Sequence, residues 1–568
     1  MRDNKTILAE KTAALLAEQG VTLTAAEAAA LFETPSDPKL GDLALPCFKL
    51  AKLLRSAPPK IAADLAPAFA GTEGIAKAEA VGGYLNFFYD GASCVAAVDE
   101  ILRDERFGSS EEGKGKTICL DFSSPNIAKR FHLGHLGTTV IGNALRNLFN
   151  FRGYKTVAIN HLGDWGTQFG KLIYAYKNWS SQEQVEQDGI DELVRLYVRF
   201  CNAEQEDPAL TQEARDAFHK LETGDEECLR IWQYFKDISL REYQKTYDLL
   251  GITFDSYNGE AFFSDKMPAV VQEIRDKGLL ELDDGASVVR LDEEGMPPCL
   301  ILKRDGSTLY PSRDIAAAMW RKKTYDFERC IYVTSAGQSL HFAQWFRVVA
   351  KMGYDWAAGL VHVPYGTMSV GGEKLASRTG NVVLLDDLLA EAIRKCEQVV
   401  EEKHPDLPNR HEVAKAVGVG AVVFNALSNS RIKDSDFNWE DALSFEGNSG
   451  PYVQYTYART SSILRKYGDL PEASPAEYSP VAEETALAKK LSEFPDAVAR
   501  ALDGYEPSVI SRYLLAVCAL FNQFYHNCRI LGAEEEDARI FRVRLAAATH
   551  TVIGNGLDLL GIRRTEEI

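Results

Sequence analysis

Asp121-Phe-Ser-Ser-Pro-Asn-Ile-Ala-Lys-Arg-Phe-His-Leu-Gly-His135 is the stretch around which the rest of the chain can be ordered. It opens inside Thr117-Ile-Cys-Leu-Asp-Phe122, a run with the apolar character of a buried strand. A polar Ser-Ser-Pro-Asn turn follows, and His132-Leu-Gly-His135 leads into a helical pattern over 136–149. A strand that delivers polar groups to a helix N-terminus makes an anion site. The first helical turn leaves N–H groups unpaired and carries partial positive charge. Two imidazoles at i and i+3 add donors able to follow charge as it develops on a phosphate. Gly134 removes a side chain where a flat ring can approach the backbone. The same residues could instead begin an ordinary helix or hold a metal ion. A metal needs further ligands, and no neighbouring Cys or His cluster supplies them.

Working outward, Lys155-Thr-Val-Ala-Ile-Asn-His161 reads as the next strand and empties into Gly163-Asp-Trp-Gly166, a second polar, Gly-rich turn. Strand, helix, strand implies a right-handed crossover and a mainly parallel sheet. Ligands of such sheets bind beyond the carboxyl ends of the strands, so both turns are expected on one rim. Residues 180–285 interrupt this rhythm with charged helical patterns at 192–202, 211–220 and 226–250, read as an α-rich insertion. Strands are then expected at 287–291 and 299–304, a helix at 312–322, a strand at 330–334, a helix at 340–352 and a strand at 360–364. A glycine-rich loop carries Lys374-Leu-Ala-Ser-Arg-Thr-Gly-Asn381. Beyond it the spacing is helical over 388–402, 413–427, 451–467, 487–502, 509–529 and 540–554, with a Pro/Ser/Glu-rich loop at 470–484. Ahead of residue 110 lies a smaller α/β unit. Helices are expected there at 7–18, at 47–54 and after Pro58-Pro59, with a strand at 81–89.

At 568 residues the chain exceeds a single core, and length alone suggests roughly three to four domains. No run approaches about 18 uninterrupted apolar residues, so no membrane span is expected. The N-terminus shows no apolar signal-peptide core. Ten cysteines without a CxxC pair fit a reducing cytoplasm, and no structural metal is expected. A net charge of −19 makes the surface as a whole repel nucleic acid. That weighs against a non-specific nucleic-acid binder, and RNA affinity must come from local clusters such as Arg459/Arg465/Lys466 and Arg539/Arg542/Arg544.

His132–His135 resembles the HIGH signature of class I aminoacyl-tRNA synthetases, and Lys374–Arg378 stands where their KMSKS loop would be. Two separated cationic loops bracketing a triphosphate suit adenylyl transfer, in which charge builds on the α-phosphate and the leaving pyrophosphate. The resemblance narrows to the arginyl-tRNA synthetase family in several motifs. These are Ser124-Pro-Asn-Ile-Ala-Lys-Arg-Phe-His-Leu-Gly-His, Gly163-Asp-Trp-Gly-Thr-Gln-Phe-Gly, Tyr310-Pro-Ser-Arg-Asp-Ile and Gly450-Pro-Tyr-Val-Gln-Tyr. Leu40-Gly-Asp-Leu-Ala-Leu-Pro-Cys-Phe and Gly82-Gly-Tyr-Leu-Asn-Phe extend it to the N-terminal region. The second signature departs from the usual pattern, ending in Arg378. Its positive charge is kept, in the more fixed geometry of a guanidinium.

The substrate can also be argued from chemistry. A guanidinium asks for a carboxylate that can bind its fork and an aromatic face to pack on. Tyr310 and Asp314, four apart at the start of an expected helix, share one face. The local alternative is a Tyr-Pro turn beside a capping Asp.

What the resemblance implies is an α/β fold with a Rossmann-type parallel-sheet catalytic domain at 111–384, carrying the insertion. An N-terminal α/β domain at 1–110 would contact the tRNA elbow. A helical connecting region at 385–445 and an all-α anticodon-binding domain at 446–568 would follow. It implies an arginine–tRNA ligase whose partners are tRNA(Arg), L-arginine and ATP with Mg²⁺. The expected setting is a cytoplasmic monomer with no membrane contact, whose activation step needs bound tRNA. His132, His135, Lys374 and Arg378 would be catalytic, and Gly134, Ser377 and His341 would join them at ATP. Ser124, Asn126, His135, Tyr310, Asp314 and Gln338 would hold arginine, with Asp121 as a further candidate. Tyr84, Asn86, Trp165, Tyr452, Tyr455 and Arg459 would meet the tRNA, with Phe48, Trp439 and Tyr457 as other aromatics able to stack on bases. Two rival readings are another class I synthetase or nucleotidylyltransferase using the same ATP loops, and a non-catalytic RNA-binding descendant.

Overall fold

In the computed structural model the described residues are 4–35, 37–304, 306–307, 310–370, 373–374, 383–403 and 405–568. They divide into two compact units, one of Met1–Phe107, Arg459–Phe494 and Ala516–Val552, the other of Gly108–Ala458, Pro495–Leu515 and Ile553–Ile568.

In the first unit β1 (Leu43–Pro46), β2 (Ile75–Val81) and β3 (Tyr84–Tyr89) form an antiparallel sheet with β3 in the middle. The run 81–89, expected as one strand, is therefore the turn and second arm of a hairpin. Gly82 takes φ +58° there, a left-handed value that glycine adopts without strain. The helix expected at 47–54 is a 3₁₀ turn, Cys47–Lys49, followed by one α-turn, Ala51–Leu54. Leu8, Leu16, Phe32, Leu45, Ile61, Phe69 and Phe87 fill the core beneath the sheet.

The loop around Ser474 is anchored within the same unit. Ser474 Oγ donates to Asp99 at 2.6 Å, and Arg544 Nη2 reaches Asp99 at 2.8 Å. Arg542 Nε lies 2.6 Å from Glu484, a fully buried carboxylate, and Arg539 lies 3.5 Å from Glu536. The cluster Arg539/Arg542/Arg544, expected to meet phosphates, is instead paired within the chain.

The second unit begins with β4 (Thr117–Asp121), joined by α1 (Gly134–Phe151) to β5 (Lys155–Ile159), which lies parallel to it. α2 (Thr167–Trp179) opens a helical stack that continues through Ile190–Glu206, Leu210–Glu222 and α3 (Glu226–Leu250). Leu196, Phe200, Phe235 and Ile238 of these helices close on Leu172 and Ile173 of α2. After the single turn α4 (Glu260–Phe263) come β6 (Glu281–Asp283), β7 (Ala286–Val289) and β8 (Cys299–Leu302). These three make an antiparallel sheet of their own. The runs at 287–304, expected to resume the parallel alternation, thus pair with each other. Only the three-residue 3₁₀ turn Asp292–Glu294 lies among them, and a parallel pairing would need a crossover of a dozen or more residues.

α5 (Tyr310–Tyr325), β9 (Arg329–Ser335), α6 (Ser339–Lys351) and β10 (Leu360–Tyr365) then complete a parallel sheet of order β10-β9-β4-β5. Its apolar strands are covered by Ile315 of α5 and by Trp345, Val348 and Val349 of α6, as a parallel sheet requires. The carboxyl ends Asp121, Ile159, Ser335 and Tyr365 open on one rim. Next, β11 (Met368–Val370) pairs with β12 (Glu373–Lys374) on one side and β13 (Ser435–Phe437) on the other. The remaining elements are helical. The helix expected at 487–502 is two, Ala482–Ser492 and Phe494–Asp503. Pro495, lacking an N–H, fits the first turn of a new helix better than the interior of an old one. Among the described residues no helix is long and apolar enough to cross a membrane.

Candidate active site

The turn leaving β4 is held in a conformation its residues disfavour. Ser123, Ser124 and Ala128 have φ of 69°, 49° and 59°, left-handed values that cost a non-glycine residue about 1 kcal/mol or more. Hydrogen bonds from α1 and α3 over-determine it. Ser123 N–H donates to Thr138 Oγ1 at 3.0 Å, Ser123 Oγ lies 2.8 Å from Tyr247 OH, and Ala128 N–H donates to Ser239 Oγ at 2.9 Å. Tyr243 OH lies 2.7 Å from the carbonyls of both Asn126 and Lys129. The turn after β5 docks on it backbone to backbone, with Ile127 N–H to Gly163 O at 3.2 Å and Gly163 N–H to Pro125 O at 3.1 Å. A Cβ on Gly163 would fall 1.8 Å from Asn126 Oδ1, so a larger residue there would displace the Asn126 side chain. Ser124 and Asn126 are fixed by contacts far away in sequence.

His132 and His135 stand at the start of α1 with ring centroids 4.0 Å apart, His135 stacking on Phe131 at 4.9 Å. His132 Nδ1 accepts the N–H of Gly134 at 3.1 Å, and His135 Nδ1 accepts the N–H of His132 at 3.2 Å. In a neutral ring the proton is thereby assigned to Nε2, which is left to donate to an anion. Burial favours the neutral form of both. It pushes His135 down to about 3, with His132 adding to the effect, and it lowers His132 too. The chain that follows the second loop returns to this spot, with Leu133 N–H donating to Val383 O and Leu385 N–H to Phe131 O, each at 3.0 Å. Lys374 is paired with Ser369 in the β11–β12 ladder. Ser377 and Arg378 lie outside the described residues.

Tyr310, the first residue of α5, is 67% exposed, and Asp314 follows one turn later. Asp314 Oδ2 accepts from His341 Nε2 at 2.6 Å. Glu260 of α4 joins this group although no spacing in the sequence pointed to it, and Arg313 Nη1 lies 2.9 Å from its Oε1. Burial, reinforced by Asp164 and Asp314, pushes the Glu260 carboxyl up to about 7 against the pull of Arg313. The one available signal was chemical: a buried guanidinium asks for more than one acceptor. Gln338 ends the 3₁₀ turn after β9 and is exposed.

Asp121 is placed differently from the other arginine candidates. Its Oδ2 lies 2.8 Å from Arg321, and its Oδ1 accepts from Ser124 Oγ at 2.8 Å. Arg321 is 1% exposed and also faces His161 Nδ1 at 3.3 Å. Both oxygens of Asp121 are thus taken by the scaffold.

The residues expected at RNA are spread over both units. Trp165 packs on Phe218 and Trp232 at 5.6 and 6.1 Å, beside Asp164, whose buried carboxylate meets Lys236 at 2.8 Å. Tyr84 and Phe48 form an exposed edge-on pair at 5.4 Å. Asn86 is only 3% exposed, which corrects its expected place at the surface. It lies further into the central strand, flanked by Ala44 and Glu79. Tyr455 is exposed and Tyr452 half-buried, while Arg459 lies 4.8 Å from the ring of Tyr525. Tyr457 is 1% exposed with its OH 3.2 Å from Glu566, a core residue and not a free stacking face.

Comparison with known proteins gives three family matches along the chain. The arginyl tRNA synthetase N-terminal domain matches residues 5–89, the class I (R) tRNA synthetase catalytic domain 97–439, and the DALR anticodon binding domain 453–568. An arginine–tRNA ligase of Clostridium botulinum (strain 657 / Type Ba4) is 50% identical over 95% of this chain and 96% of its own. One from Clostridium beijerinckii is 48% identical over the same shares. Among solved structures, the arginyl-tRNA synthetase of Thermus thermophilus superposes with a TM-score of 0.84 at 27% identity, covering 100% of both chains. That of Plasmodium falciparum shares the fold with a TM-score of 0.79 at 24% identity, covering 94% of each.

Proposed function

The chain belongs to the arginyl-tRNA synthetase family, and from that premise we infer that it is an arginine–tRNA ligase, activating L-arginine with ATP and loading it onto tRNA(Arg). A carboxylate oxygen of arginine attacks the α-phosphorus of ATP, and the bond to pyrophosphate breaks, giving arginyl-adenylate. The 3′-terminal ribose hydroxyl of the tRNA then attacks the acyl carbon, AMP departs, and the hydroxyl proton passes to its phosphate or to water. No covalent enzyme intermediate is required.

The observation that carries this reading is the pair of neutral imidazoles at the start of α1, each with Nδ1 occupied by backbone and Nε2 left to donate. In the proposed roles, His132 and His135 stabilise charge on the phosphates of ATP through those donors, with Gly134 giving the nucleotide room. Lys374, Ser377 and Arg378 also hold the phosphates. The return of the following chain, Val383 and Leu385, to the histidine turn supports this reading. Ser124, Asn126 and Gln338 orient the amino and carboxylate groups of arginine. Tyr310, Asp314 and the newly recognised Glu260 receive its guanidinium, and Asp121 serves as the anchor of Ser124. Tyr84, Trp165, Tyr452, Tyr455 and Arg459 are proposed RNA contacts.

Mg²⁺ is proposed to arrive with ATP, where it shields phosphate charge. Phosphate oxygens and water supply most of the ligands of a Mg²⁺ carried by a nucleotide. A monomer is proposed because each assigned role falls to residues of one chain. A cytoplasmic setting suits ten cysteines that are all free. Charging of total tRNA with each labelled amino acid in turn is the direct test. Arginine alone should be incorporated, and incorporation of another amino acid would overturn the assignment. Pyrophosphate exchange run with and without tRNA tests whether activation waits for the tRNA.

A further inference from the structure

We propose that His341 is a positioning residue for arginine, acting through Asp314 to fix which carboxylate oxygen the substrate guanidinium meets. This rests on the reading of Asp314 as a guanidinium acceptor, and it moves His341 away from the nucleotide role expected from sequence.

The geometry carries the argument. His341 Nε2 stands 2.6 Å from Asp314 Oδ2, and a carboxylate can only accept from it, so the ring donates from Nε2. Among the described residues no hydrogen bond engages Asp314 Oδ1. The imidazole is braced from behind: its edge meets Phe342 at 5.4 Å, and Phe342 stacks on His362 at 4.5 Å. His362 Nε2 in turn lies 2.8 Å from Thr334 Oγ1. His341 is therefore the end of a stack running from α6 to β9 and β10. The pair itself faces solvent, with side-chain exposures of 29% for His341 and 26% for Asp314. A structural core pair would be sealed; this one is open to a ligand.

Asp314 needs such a brace. A charge-assisted contact to a guanidinium is strongest when the carboxylate oxygen is aimed at it, and an unbraced Asp rotates. One N–H on Oδ2 fixes the carboxylate plane and leaves Oδ1 to the substrate, in the way outer partners orient primary ligands elsewhere. The chain also carries a competing guanidinium, Arg313, seated on Glu260 at 2.9 Å. With His341 holding Asp314, Arg313 stays with Glu260.

The test is ATP–pyrophosphate exchange by the full chain with tRNA present, titrating arginine and ATP separately. For His341→Ala the KM for arginine should rise about 10-fold, with the KM for ATP within about twofold of wild type, as expected for losing one orienting hydrogen bond. His341→Gln, which keeps an N–H of similar reach, should recover most of the loss. In an Asp314→Asn background the Ala substitution should add nothing further. A raised KM for ATP with an unchanged KM for arginine would make His341 a nucleotide ligand and overturn the proposal, and so would no change in either. If melting shows that His341→Ala does not fold, His341→Phe, which keeps the ring and removes the N–H, decides with and without Asp314→Asn by the same non-additivity. Should Asp314→Asn itself leave the arginine KM untouched, the acceptor assignment fails first, whatever His341 does.

Discussion

Asp121 and Asp314 are both acidic residues at the rim of the same parallel sheet, and both were candidates for holding arginine. They differ in what already holds them. Asp121 faces Arg321, a guanidinium that is 1% exposed, and its other oxygen is taken by Ser124. Among the described residues Asp314 is engaged on one oxygen only, by a histidine, and its side chain is 26% exposed. A carboxylate saturated by a buried internal cation has no charge left for a ligand, whereas one held on a single oxygen is a cation site with its orientation set. Residue type and rim position are equal in the two, so pairing and burial make the distinction.

Neutralising each residue should separate these roles. The largest effect is expected at the anchor. Asp121→Asn leaves the Arg321 charge buried without its counter-ion, which should destabilise the fold by about 3–5 kcal/mol. Chemical denaturation of the two proteins measures this, and an unchanged midpoint would show that Asp121 is not the anchor. Next comes Asp314→Asn, which should leave the denaturation midpoint nearly unmoved while lowering kcat/KM for arginine by about 100-fold, the loss of a charge-assisted acceptor. Smaller again is Glu260→Gln. Its carboxyl is already pushed up to about 7 and so is only partly ionised near neutrality. An approximately 10-fold rise in arginine KM is expected there, and a loss matching that of Asp314→Asn would erase the proposed ranking.

How much of this the sequence disclosed depends on the range of the interactions. The strand, turn and helix of 117–149 were legible because apolar period, turn chemistry and helix start all lie within one short segment, and the structure follows it closely with β4 and α1. The parallel sheet was legible from the order of its elements. Partnership was not. Nothing in 287–304 says that its strands pair with each other, and the alternation across Gly82-Gly83 masked a hairpin. The same limit applies at the site. Asp121 was ambiguous because Arg321 lies on a distant helix, and Glu260 went unnoticed because Arg313 and Asp314 reach it only in three dimensions. Arg542 and Arg544 looked available because Glu484 and Asp99, which pair with them, are remote in sequence.

The finest version of the comparison uses proton linkage. Burial, with Asp164 and Asp314 nearby and Arg313 opposing them, raises the Glu260 carboxyl from an ordinary 4.5 to about 7. Between those values the folded chain holds a proton that the unfolded chain has lost, so this group's contribution to stability falls as pH rises through that window. Arginine acts in the opposite sense. A guanidinium beside Glu260 favours its ionised form, so binding expels the proton, and arginine KM should fall as pH rises from about 6 to 8. His135, pushed down to about 3, does not titrate in that window. Glu260→Gln removes the exchangeable proton and should flatten that part of the KM profile, while the slope of melting temperature against pH should become more positive than in wild type. A KM slope that persists unchanged in the Gln variant would assign the proton to another group and return Glu260 to the scaffold, beside Asp121.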